Sequence, residues 1–484
     1  MIQQAVILAA GKGSRINADD PGPPKPLHKV AGLTLIKRTL LTLARAGVTR
    51  AYVVIGFRGD EIKQAITGDP DYARANLVVE FVDNPEYEKN NGVSLLHVKG
   101  HVTGPFILSM SDHVYDVAVP KAAAAADMSA SDLVLCIDRR AAEVYDPDDA
   151  TKVKTDGTRI VDIGKQITDY DSIDCGVFAI GPGFLDALEE VRAEKGDCSL
   201  SDGVKRLAQK GRAGVADIGN VFWQDVDTVE ARARAQREIF RALRKPVDGP
   251  VSRHINRKIS LTVTRLLLPF PVTPNQMTIV ANAIGFVGVW LVLQATFRDV
   301  IIGASLMQVQ SILDGCDGEI ARLKFKSSRF GEWLDNVLDD TLNVLYCYAL
   351  GHASSILFAQ PAFEWLGLAG GIGYAIYLGV LYQQLAVVHR SGNPFLFRWW
   401  FQRDGADIHT TFSRPGLATR IGAFVRALSR RDVFLLCFLG LAIAHQPQVA
   451  ALWYGIIGVG HLGMSVVHLL SGGLANARRL ARQP

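Results

Sequence analysis

The chain has 484 residues, 49% of them hydrophobic, and a net charge of +4, which is too long for one ordinary core. The near-neutral balance argues against nucleic acid as the main partner. Six cysteines with no CxxC pair and no ligand spacing read as free thiols in a reducing cytosol, not as a disulfide framework or zinc site.

The mean hydropathy of +0.15 averages two unlike halves. Charged and apolar residues alternate up to about residue 250, and beyond it come stretches long enough to cross a bilayer. The opening MIQQAVILAAGKGSR lacks a basic leader and a cleavage site, so no signal peptide is predicted. It reads as a strand over 3–10 that runs into a glycine loop. Helical spacing predicts a helix over 33–47, and buried strands are expected at 51–56, 77–82, 105–110 and 132–137. Strands alternating with helices predict a layered α/β unit over 1–230.

An Arg/Ala-rich helix at 230–244 and the sequence KPVDGP open a connector, 231–270. Its 251–270 stretch mixes basic and apolar positions, as an interfacial helix does. Six membrane helices are predicted in 271–484, near 277–296, 299–323, 330–352, 364–388, 432–446 and 450–471. Lys and Arg cluster in 241–265, in the 323–329 turn, in the 389–431 loop and at Arg478, Arg479 and Arg482, whereas the opposite loops carry only Arg298. That asymmetry predicts an integral protein of the cell (inner) membrane with both termini cytoplasmic.

Within the apolar half, DGCDGEIARLKFKSSRFGEWLDNVLD places Asp314 and Asp317 three apart on one predicted helix, and Asp335 and Asp339 four apart on the next. Either spacing puts the pair on one helix face. An ionised Asp in a bilayer helix costs on the order of 3 kcal/mol, so four converging carboxylates point to divalent cations that offset the charge. Arg322 offers a planar cation suited to phosphate.

Asp314, Asp317, Gly318, Ala321, Arg322, Gly331, Asp335 and Asp339 resemble the CDP-alcohol phosphotransferase signature DxxDGxxARx8GxxxDxxxD at every fixed position. The resemblance implies an all-α six-helix transmembrane domain with its site in the cytoplasmic half. It implies that Asp314, Asp317, Asp335 and Asp339 bind metal, that Asp339 is also the general base, and that Gly318, Arg322 and Gly331 contact the CDP moiety. Pro274-Asn275-xx-Thr278 resembles the start of that family's first helix, which brings Asn275 to the nucleotide.

Near the N-terminus, LAAGKGSRI follows a strand and Pro24-Lys25-Pro26-Leu27 follows the loop. Amides of Ala9, Ala10, Gly11 and Gly13 can cradle a triphosphate that Arg15 and Lys25 neutralise. This pattern resembles sugar-1-phosphate nucleotidyltransferases, which have a Rossmann-like α/β sheet. The resemblance makes Lys25 and Arg15 catalytic and gives Mg²⁺ (or Mn²⁺) to Asp112 and Asp225, with Asp225 preferred over Asp227 on the W-x-D pattern. His113 beside them reads as a structural hydrogen-bonder. Asn91 and Ser94 fall in a base-reading turn, and Lys165 suits the phosphate of an incoming alcohol phosphate.

Both halves together resemble, over essentially the whole chain, the bifunctional inositol-1-phosphate cytidylyltransferase/di-myo-inositol phosphate phosphate synthase family. That implies CTP, a CDP-alcohol and an alcohol phosphate as partners, beside the lipid bilayer, with both active sites cytoplasmic. A lipid or other alcohol as final acceptor, as in a phospholipid synthase, is the alternative reading, and a homodimer stays open.

Overall fold

The computed structural model describes every residue except 14, 17–21, 142–145, 147, 245–247, 402–429 and 481–484. Most of the basic 389–431 loop, and Arg482, therefore lie outside the described residues. Two units divide the chain, Met1–Arg241 and Ala242–Pro484.

Nine strands form the main sheet of the first unit: β1 (Gln4–Ala9), β2 (Arg50–Ile55), β3 (Val78–Asp83), β4 (Phe106–Met110), β5 (Leu133–Asp138), β6 (Lys152–Thr155), β7 (Ile160–Gly164), β8 (Ser172–Ile180) and β9 (Ala213–Asp217). The order runs β7-β6-β8-β4-β1-β2-β3, with β5 paired to β8 and β9 to β5. β1 is parallel to both β2 and β4, whereas β8 runs antiparallel to β4. Ala5, Val6 and Ile7 have no exposure, as expected of a central parallel strand covered on both faces. The loop after β1 and the turn after β4 leave the sheet side by side at its carboxyl edge, joined by Ser111 N–H donating to Leu8 O. Open α/β sheets bind ligands at such an edge.

The helix Val229–Ala242, expected to begin the connector, packs on the first unit as far as Arg241. Ala231, Ala235 and Phe240 are buried. Gln224 donates to Ala231 O at 3.0 Å, and Ala31 N–H donates to Gln236 Oε1 at 3.2 Å. The sequence over-read its Arg-rich face as a linker, because the alanines on the other face carry so weak an apolar signal.

In the second unit a π-turn, Ser252–Asn256, leads into α1 (Arg257–Leu267). There follow α2 (Pro274–Leu293), α3 (Phe297–Leu323), α4 (Arg329–Leu357), α5 (Ala362–Gln384), α6 (Arg431–Ile443) and α7 (Pro447–Leu470). α2 starts where Thr273 and Gln276 cap each other and Pro274 supplies a fixed φ at the first turn. Ser328 Oγ accepts from Gly331 N–H and so starts α4. Among the described residues, α2 to α7 lie at the six places read as membrane helices. Of the described residues, three helices are long and apolar enough to cross a membrane: α2, the Ala362–His389 stretch and α7. α3 and α4 have the length but carry the carboxylates, and α6 has only 13 residues.

α2 and α3 touch backbone to backbone. A Cβ on Gly303 would lie 2.5 Å from Gly288 O, and one on Gly288 would lie 2.9 Å from Gly303 O. Glycines at such a crossing let the two backbones pack in direct contact.

Candidate active sites

In the first unit a short antiparallel ladder outside the main sheet, His113–Tyr115 with Trp223–Asp225, sets Asp225 directly opposite His113. Asp112 precedes that ladder and receives Val226 N–H on its carbonyl. Single ligand atoms of Asp112, His113 and Asp225 therefore all lie within 4.8 Å of one another. Lys25 Nζ donates to Asp112 Oδ2 at 2.6 Å, stands 3.8 Å from Asp225 Oδ1 and pairs with Asp227. Lys25 can lie there because Gly13 has no side chain: a Cβ on Gly13, at φ +59°, would sit 2.5 Å from that of Lys25. The glycine loop and the KPL segment are thus one contact.

The electrostatics follow from burial against charge. Burial alone would raise the Asp112 carboxyl, but Lys25 and His113 outweigh it and hold it well below the usual range. Burial opposes the His113 imidazolium, yet Asp225, Asp112 and Asp174 around it push its pKa up to about 9. Burial and Asp112 raise Asp225, against His113, Lys25 and Arg15. Asp225 Oδ1 is buried without a hydrogen-bond partner, so Asp112 and Asp225 fit a hard divalent ion, whereas a protonated His113 serves as donor to Asp112 at 2.8 Å. Asp227 instead pairs with Lys25 and Arg15.

Two clefts meet at this centre. One, of about 320 Å³, is lined by Ala9, Ala10, Gly11, Gly13, Asn91 and Ser94. The other, of about 660 Å³, holds His113, Lys165 and Asp174. Arg15, Lys25 and Asp112 border both. Asn91 and Ser94 are already engaged in the protein. Asn91 Oδ1 accepts from Leu200 N–H, and Ser94 Oγ accepts from Asn84. Asp174, which sequence reasoning passed over, is pushed up to about 6 by burial, which the Gly176 N–H and His113 only partly offset. Gly176 at φ +71° lies under the His113 ring, 2.6 Å from where its Cβ would be.

In the second unit the two helices of the aspartate motif bring single oxygens of Asp314, Asp335 and Asp339 within 4.8 Å of one another. Asp314 Oδ1 and Asp335 Oδ1 are buried with no hydrogen-bond partner, the condition in which a divalent ion fits. Asp317 adjoins the trio through a side-chain contact with Asp335 and accepts from the Thr278 hydroxyl at 2.5 Å. Arg322 presents Nε and Nη2 buried and unpartnered. Gly318 leaves it room, since a Cβ there would be 3.3 Å from Nη1. Asn275 adjoins Gly331, its Oδ1 2.8 Å from where a Cβ would sit.

Three further residues complete the picture. Arg431, at the start of α6, pairs with Asp339, and Gln310 Nε2 donates to Asp339 Oδ1 at 2.9 Å while its Oε1 accepts from Arg431 at 2.8 Å. Glu319, fully buried within the motif, accepts from Arg257 at 2.9 Å and from the Ser260 and Thr264 hydroxyls at 2.6 Å each. Arg257, Ser260 and Thr264 all lie on α1, so that amphipathic helix is bonded to the motif helix α3.

Residues 5–207 match the family model of the MobA-like NTP transferase domain, and residues 271–457 that of CDP-alcohol phosphatidyltransferase. The chain is 34% identical to the "Bifunctional IPC transferase and DIPP synthase" of Aquifex aeolicus (strain VF5), over 72% of this chain and 77% of that one. It is 35% identical to the protein of the same description from Rubrobacter xylanophilus, over 76% and 81%. Among solved structures, the inositol-1-phosphate CTP transferase from T. maritima superposes with TM-score 0.43 and 26% identity, over 49% of this chain and 96% of that chain.

Proposed function

Since the chain belongs to the family of bifunctional IPC transferases and DIPP synthases, we propose that its two sites work in sequence on inositol 1-phosphate. The first unit joins CTP and inositol 1-phosphate into CDP-inositol and releases diphosphate. The second joins CDP-inositol to another inositol 1-phosphate, giving di-myo-inositol phosphate phosphate and CMP.

In the first unit Lys25 and Arg15 neutralise the triphosphate while the loop amides of Ala9, Ala10, Gly11 and Gly13 hold it, and Asn91 and Ser94 border the base. Lys165 holds the incoming phosphate, whose oxygen attacks the α-phosphorus. Asp112 and Asp225 would hold Mg²⁺ or Mn²⁺ here, and Asp314, Asp335 and Asp339, with Asp317, would hold it in the second unit. The ion supplies Lewis-acid stabilisation of phosphate charge at both.

In the second unit Asn275, Gly318, Arg322 and Gly331 receive the CDP moiety. A hydroxyl of the acceptor forms the new O–P bond, Asp339 takes its proton, and the bond to CMP breaks. α2 to α7 span the cell membrane, with both sites and both termini cytoplasmic. α1, with Ile259 and Leu266 exposed, lies in the interface.

The convergence of the Asp314, Asp335 and Asp339 oxygens carries this reading. Mass spectrometry of products from the purified protein given CTP, Mg²⁺ and inositol 1-phosphate, with and without added lipid, tests it. CDP-inositol without the diester, or a diester formed only on a lipid alcohol, defeats the second step as written.

A further inference from the structure

Asp149 stands between the two cations assigned above to different substrates. Its Oδ2 accepts from Arg15, and its Oδ1 accepts from Lys165 Nζ at 2.7 Å. All three side chains border the same cleft of about 660 Å³. The two cations are not equally held. Arg15 keeps a second carboxylate, Asp227, whereas Asp149 is the one acidic partner of the Lys165 ammonium among the described residues.

We propose that Asp149 couples the binding of the two substrates of the first reaction, acting as an internal anion that either phosphate must displace. The inference rests on the assignment of Arg15 to the nucleotide triphosphate and of Lys165 to the alcohol phosphate. A triphosphate that takes Arg15 breaks one half of the Asp149 bridge and places several negative charges beside the carboxylate that remains. Asp149 is thereby driven from Lys165, and the second phosphate meets an ammonium already released. The first ligand bears the cost of moving the carboxylate and the second does not, which is positive coupling. By linkage it holds whichever ligand comes first. Direct repulsion between the two bound phosphates acts in the opposite sense and persists when Asp149 is neutralised, so the two contributions can be told apart.

The side chains of Arg15, Asp149 and Lys165 are 56%, 36% and 49% exposed, so water screens both pairs and the coupling is modest. About two- to fivefold is the range of such ion pairs.

The test is calorimetric titration of the full chain in detergent with Mg²⁺, using inositol 1-phosphate and a CTP analogue with a methylene in place of the α–β bridging oxygen, so that no turnover occurs. In the wild type each ligand should bind about two- to fivefold tighter when the other saturates. Asp149→Asn should bind each ligand alone more tightly, with the larger gain for inositol 1-phosphate because Arg15 retains Asp227, and the positive coupling should vanish. Asp149→Glu, which keeps the charge, should keep the coupling. Weaker binding of both ligands by Asp149→Asn, or coupling equal to wild type, overturns the inference. If the wild type binds both ligands without coupling, this inference fails alone. If it binds neither, the functional reading fails and takes this inference with it.

Discussion

The guanidinium of Arg431 is paired with the carboxylate of Asp339, and Gln310 bonds both. These residues come from α6, α4 and α3, so the fourth aspartate of the motif is held from two other helices. Asp339→Asn keeps the shape and removes the proposed base. CMP release from supplied CDP-inositol and inositol 1-phosphate should fall at least about 10²-fold, with CDP-inositol formation unchanged. Arg431→Gln leaves the carboxylate but not its orientation, and partners of this kind cost about 10- to 100-fold. Near-normal transfer by Asp339→Asn would leave that residue a structural carboxylate.

Lys25 touches Asp112 and Asp227 in the first unit only. Lys25→Ala should therefore lower CDP-inositol formation by about 10²-fold or more, while transfer from supplied CDP-inositol stays at the wild-type rate. Gly13→Ala should behave alike, because its Cβ would displace Lys25. Loss of both reactions in Lys25→Ala would show that the sites are not independent.

His113 has a folded pKa near 9 against an ordinary 6.5. A group raised on folding contributes stability that is complete below about pH 6.5 and is lost as pH rises through about 9. In the presence of a chelator, the thermal midpoint of the first unit, followed by loss of CDP-inositol formation after heating, should fall by several degrees from pH 6.5 to pH 9.5. His113→Gln should flatten that slope. A slope unchanged by the substitution would assign it to another group.

Glu319 has no exposure and three donors on α1. Glu319→Ala leaves the Arg257 charge buried, a change that costs about 3–5 kcal/mol. The lower end is expected, since Asp248 holds Arg257 from the other side at 3.0 Å. Heat inactivation of transfer in detergent should show the loss, with the first reaction unaffected.

For topology, Asp248 is a poor labelling position because its side chain is 9% exposed and paired with Arg257. His254 and Arg478 are exposed, and five of the six native cysteines are buried. Single cysteines at 254 and 478 should both react from the cytoplasmic side of intact membranes. Opposite sides would mean that an odd number of helices crosses, with the 13-residue α6 the first suspect.

The residues legible in the sequence are those that fall in a short pattern of their own. Asp314, Asp335 and Asp339 declare themselves by helical spacing, and the Gly13 loop by the Lys25 that follows it. Asp225 was preferred to Asp227 on a three-residue pattern, and the ladder opposite His113 groups it with Asp112. Arg431, Gln310 and Asp149 carry no such signal. Each is an ordinary polar residue whose meaning comes from a partner 92, 29 or 134 positions away. Glu319 sat inside the motif but at one of its unspecified positions, and only its burial against α1 marks it out.

The pairing of Trp223–Asp225 with His113–Tyr115 makes the site sensitive to loop length by parity. Alternate residues of a strand face the same way, so Trp223 and Asp225 face one side and Gln224 the other. Removing one residue from the 218–222 connection would bring Val226 opposite His113 and leave Asp112 without its partner carboxylate there. Removing two would bring Asp227 there, an aspartate again. The two-residue deletion would thus restore an aspartate opposite His113, but only by taking Asp227 from Lys25 and Arg15.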